Sequence, residues 1–96
     1  MKHTTWPELL DHFYHGDEIM ISYHNKNYFV QGYTVDEGFY LEVSDWHARD
    51  DEEWILFSIT SNNDQEAVDK LINAKIFDGK NIRQAFDEAE LVEAFY

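Results

Sequence analysis

Residues 18–44, EIMISYHNKNYFVQGYTVDEGFYLEVS, read with a period of two. Ile19, Ile21 and Tyr23 share one side of an extended run, and Met20, Ser22 and His24 share the other. His24-Asn25-Lys26-Asn27 supplies a turn, and Tyr28-Phe29-Val30-Gln31-Gly32-Tyr33 resumes the run, so the pair predicts a β-hairpin. Gly32 inside the second run marks a bulge or a close backbone approach. Asp36-Glu37-Gly38 forms the next turn, after which Phe39, Leu41 and Val43 alternate with Tyr40, Glu42 and Ser44. An acidic connection from Asp45 to Glu53 leads to Trp54-Ile55-Leu56-Phe57-Ser58-Ile59, whose apolar density predicts the most deeply packed strand. No connection here is long enough for a crossover helix, which predicts a three- to four-stranded antiparallel meander.

On both sides of this region the period changes to that of a helix. Thr5-Trp6-Pro7-Glu8 has capping-box spacing with proline in the first turn, and Leu9, Leu10 and Phe13 follow before Gly16. After the strands, Asn63 and Glu66 form a second capping pair ahead of Ala67, Val68, Leu71, Ile72 and Lys75. Asp78-Gly79-Lys80 interrupts, and Asn81 with Gln84 caps a final helix carrying Ile82, Phe86 and Ala89. The tail Leu91–Tyr96 fits either a continued helix or a short extended end.

The 96 residues form one α+β domain over positions 1–96, an antiparallel sheet packed against N-terminal and C-terminal helices. The predicted core is Leu9, Leu10, Phe13, Ile19, Ile21, Val30, Leu41, Val43, Ile55, Phe57, Ile59, Val68, Leu71, Ile72, Ile82 and Phe86. A register slip of one residue would exchange the buried and exposed faces of any strand.

Composition narrows the function. Twenty Asp plus Glu against seven Lys plus Arg give a formal charge of −13, while 44% of residues are hydrophobic and 17% aromatic. That apolar content opposes charge-driven disorder, and the acidity opposes direct binding of nucleic-acid phosphates. No apolar run spans a bilayer and no secretory signal opens the chain, so the expected location is cytoplasmic and no membrane is involved. Cysteine is absent, which removes disulfides, thiolate catalysis and cysteine-based zinc sites.

Motifs for chemistry are sparse. His12 and His15 share a terminal helical turn with Asp17 just beyond, nitrogen and carboxylate ligands that are the basis of an alternative reading as a metal-assisted hydrolase. The longer metalloenzyme pattern is missing, as are a nucleophile turn around any serine and a phosphate cradle before Gly79-Lys80. The acidic run lacks the glycine and the terminal ligand of a calcium loop. No enzyme and no cofactor are therefore expected.

What stands out is a field of carboxylates at Asp36, Glu37, Glu42, Asp45, Asp50, Asp51, Glu52 and Glu53, with Tyr40 and Trp46 as apolar anchors. The expected function is a non-enzymatic domain that inhibits or regulates a basic protein, a nucleic-acid-binding one being the special case, as a nucleic-acid mimic or an immunity-type inhibitor. Trp46, Asp50, Asp51, Glu52 and Glu53 are its assigned contacts. A structural component of an oligomer is the other alternative.

Overall fold

The computed structural model describes residues 1–46 and 54–94. Its elements run α1 (Trp6–His15), β1 (Ile19–Tyr23), β2 (Lys26–Val35), β3 (Gly38–Asp45), β4 (Ile55–Ser61), α2 (Asp64–Asn73), α3 (Ile82–Ala85) and β5 (Glu90–Ala94). All five strands join one antiparallel sheet in the order β4-β3-β2-β1-β5. The expected meander is β1 to β4. The tail left open between helix and strand becomes β5, which returns to pair with β1.

Local chemistry sets the element ends. The Thr5 hydroxyl oxygen accepts the Glu8 N–H at 3.3 Å and its O–H donates to the Glu8 carboxylate at 3.0 Å, so the cap closes side chain to side chain. Asn63 accepts the Glu66 N–H at 3.2 Å, while the Glu66 carboxylate turns outward to take the Ser61 hydroxyl. Only Asn81 and Gln84 complete the reciprocal box, and α3 then stops after one turn. The first hairpin turn is tighter than the four residues expected. It holds only His24 and Asn25, at φ 49° and 64°, the positive values that match a two-residue loop to the twist of its strands.

All three helices lie on one face of the sheet. Leu9 and Phe13 of α1, Ala67, Val68 and Leu71 of α2, and Ile82 and Ala85 of α3 meet Ile19, Ile21, Tyr23, Tyr28, Val30, Leu41 and Val43. Phe77, Phe86 and Ala89 fill the space around α3. Tyr28 and Phe77 contribute a ring pair at 4.6 Å, and burying such rings is the largest apolar contribution available to a domain of this size. Leu10, Phe57, Ile59 and Ile72 pack at the margin of this core.

Two expectations are corrected. The strand from Trp54 is not the most deeply packed: β4 is one of the sheet's two edges among the described residues, with one face turned to solvent. Ile55 leaves the core and is 41% exposed, because the β3–β4 register shifts between Val43 and Ser44 and sets Ile55 opposite Ser44. No helix of the described residues is long and apolar enough to cross a membrane.

Candidate functional site

The sheet face opposite the helices carries an organised set of side chains. Strand register aligns Met20, Phe29, Ser44 and Ile55 in one row, Gln31, Glu42 and Ser58 in the next, and Tyr33, Tyr40 and Thr60 in a third. Met20, Phe29, Tyr33, Tyr40 and Trp46 stand outside the buried apolar cluster. Two ring pairs bracket the middle row: Phe29 with Trp46 at 5.3 Å, and Tyr33 with Tyr40 at 5.0 Å. Tyr33 is half exposed, so this end of the face offers an aromatic plane to a partner.

At its centre lies Glu42, only 5% exposed. Gln31 donates its side-chain N–H to one carboxylate oxygen at 2.8 Å, and the Tyr40 hydroxyl donates to the other at 2.6 Å. A buried carboxylate is costly without such donors, and here both are neutral. Burial pushes the Tyr40 hydroxyl up to about 12, and the Glu42 carboxylate adds to the effect. Tyr40 therefore stays protonated and keeps donating at neutral pH.

The described lysines and arginines of the sheet and helices lie away from this face. Lys70 lies in α2, Lys75 follows it, and Lys80 and Arg83 belong to the α3 region. The Arg83 guanidinium lies over the Trp6 ring at 4.8 Å, on the helical side. Lys2 is near the N-terminus, and Lys26, at the first position of β2, shares the parity of core residues Tyr28 and Val30. None of the described Lys or Arg residues occupies the three rows.

The assigned contacts divide. Trp46 is half-buried against Phe29 at the end of β3. Asp50, Asp51, Glu52 and Glu53 lie outside the described residues. The other acids of the expected field separate: Asp36 and Glu37 are exposed at the β2–β3 turn, Asp45 closes the far end of β3, and Glu42 is sequestered between them. The metal alternative gains one pair, His12 Nδ1 to Asp17 Oδ2 at 2.8 Å, while His15 is exposed. Among the described residues no group of three or more histidines and carboxylates could hold a metal ion.

Sequence reading passed over Gln31 and Tyr33, and took Glu42 for one more member of the acidic field rather than a buried, held carboxylate. The available signal was the alternation itself, which sets Phe29, Gln31 and Tyr33 opposite Tyr40, Glu42 and Ser44 on the side that ought to be plainly polar.

A second cluster pins the first hairpin. His24 Nδ1 contacts the Asp78 carboxylate at 2.8 Å and Nε2 contacts that of Glu88 at 3.2 Å, with the imidazole stacked 3.8 Å from the Tyr23 ring. These hydrogen bonds, Asp78 first, raise the His24 pKa above its ordinary 6.5, and the bond to His24 lowers that of Asp78.

No protein-family model, curated protein or solved structure matches this chain.

Proposed function

We propose that this chain is a non-enzymatic domain that binds a basic protein and inhibits or regulates it by covering its cationic surface. The observation that carries this reading is charge segregation on the sheet. Its helix-free face combines aromatic rings and hydroxyls with a held carboxylate and no described lysine or arginine, in a molecule of formal charge −13. Aromatic anchors beside carboxylates suit a lysine- or arginine-rich surface: the rings supply area, and the charge steers the encounter. A partner that ordinarily binds nucleic acid has such a surface. Trp46 is one anchor, Tyr33 and Phe29 are others, and the Asp50–Glu53 run contributes long-range attraction.

The test begins with capture from the source cell at low and physiological salt, followed by calorimetry against the purified partner. Two variants are compared with the parent. One carries Asp50→Asn, Asp51→Asn, Glu52→Gln and Glu53→Gln; the other carries Phe29→Ser and Tyr33→Ser. The first should lower the association rate and flatten the salt dependence, and the second should raise the dissociation rate. Unchanged affinity in both, or a partner without a basic surface, rejects the proposal.

A further inference from the structure

The two edges of the sheet are built differently. β5 is short, carries the exposed Glu90 at its first position, and has an irregular register against β1. Charged residues on a short, bent edge discourage further pairing. β4 has no such protection. Its seven residues, ILFSITS, include no charge, no proline and no glycine, and Ile55 and Leu56 are 41% and 40% exposed. Among the described residues only β3 pairs with it, so one row of backbone donors and acceptors faces outward along its length.

The ends of this neutral strand are acidic. Asp45 lies at its start, where the Asp45 N–H donates to the Trp54 carbonyl at 2.8 Å. Asp64 and Glu66 lie at its finish, with Glu66 tied to Ser61, the last residue of β4. A second copy pairing antiparallel through β4 would set the acidic start of one strand beside the acidic finish of the other, and like charges so placed repel. An extended segment with a neutral centre and cationic flanks meets the opposite sign at both ends.

We infer that β4 accepts an extended segment of the basic partner as a sixth strand of the sheet, with main-chain hydrogen bonds along residues 55–61 and lysines or arginines of the segment against the carboxylates at either end. This inference rests on the proposed function and names the part of the partner that docks. Side chains of the added strand alternate between the two faces, so every second one stands beside Ser58 and Thr60 in the lattice that holds Glu42 and Tyr40. Strand addition contributes affinity through backbone groups of any sequence, and the flanking charges select the partner.

The probe is a synthetic peptide matching β4 in length, alternating valine and threonine, with a pair of lysines at each end. It is titrated into the isotopically labelled full chain, and amide exchange is followed by nuclear magnetic resonance. The expected result is slower exchange at alternate residues within 55–61, roughly tenfold at nine-tenths saturation, weakening as salt is added. The same peptide N-methylated along one edge should lose this effect, and a glutamate-flanked version should fail to bind. Equal binding of the N-methylated peptide, with shifts confined to Phe29, Tyr33 and Tyr40, overturns strand addition while leaving the basic-partner reading intact. Equal binding of the glutamate-flanked peptide overturns the charge selection. A concentration-dependent dimer that protects β4 without peptide assigns the edge to a second copy and overturns the inference, as does absence of binding.

Discussion

The Gly32 N–H donates to the Gly16 carbonyl at 3.1 Å, so the end of α1 rests backbone on backbone against the middle of β2. A Cβ on Gly16 would stand 2.7 Å from the Gly32 oxygen, and one on Gly32 would stand 2.9 Å from the Tyr40 carbonyl oxygen. Gly16 also sits at φ +68°, where a side chain is strained. This contact fixes the distance between helix and sheet, and it resolves the Gly32 alternatives in favour of close approach.

Gly32→Ala should therefore lower stability by about 1–3 kcal/mol, the usual cost of forcing volume into packed structure. Gly16→Ala should lose at least as much, since strain adds to the clash. Urea unfolding checks both: the midpoint falls while the slope is kept. An unchanged midpoint for either variant contradicts the close approach.

The Glu42 network makes a second prediction. Tyr40→Phe removes one of two neutral donors from a buried carboxylate and should cost about 1–3 kcal/mol. Gln31→Leu should cost a similar amount. The coupling between Tyr40→Phe and Glu42→Leu in a double-mutant cycle isolates the bond, because the two residues share the 2.6 Å contact and leucine cannot accept it. Strict additivity would show that the contact contributes nothing.

Much of this architecture was legible in the sequence because its signals are local. The caps at Thr5, Asn63 and Asn81, the alternation through β1 to β3 and the turn at Asp36-Glu37-Gly38 all act within a few residues. What the sequence hid was set at long range. Ile55 leaves the core because of a bulge opposite Ser44, and β4 is an edge because among the described residues no strand but β3 pairs with it. Tyr23, Tyr28 and Phe77 are as buried as any aliphatic residue, although aromatic amphipathicity masks their direction. Glu42 looked like part of an acidic field, and its two donors come from the facing strand and from a residue two positions earlier. Its burial therefore required knowing the register.

The clamp on the first hairpin should give stability a pH signature. His24 has a raised pKa in the fold, so its contribution is fully present below its ordinary 6.5 and is lost as pH rises through the raised value. Asp78 has a lowered pKa, so its contribution is present above 3.8 and is lost as pH falls through the lowered value. Urea midpoints measured between about pH 4 and pH 9 should decline on the alkaline side for the parent, and His24→Gln should remove that decline. Identical profiles would show that the clamp is not formed in solution.

A fourth prediction concerns the Tyr23 hydroxyl, which is buried without a hydrogen-bond partner among the described residues. Such a group forfeits its hydration, so Tyr23→Phe should be neutral or stabilising by up to about 1–3 kcal/mol, against the usual direction of core substitutions. Thermal unfolding checks it. A clear fall in midpoint would mean that the hydroxyl is satisfied in solution.

Pairing of β5 with β1 bears on how the chain is made. Translation delivers residues 19–23 well before residues 90–94, so a nascent chain holds IMISY beside β2 with its other flank bare while everything between is synthesised. That interval is seconds long at roughly 5–20 residues per second, time enough for an apolar ribbon to meet a chaperone or a neighbouring polysome product.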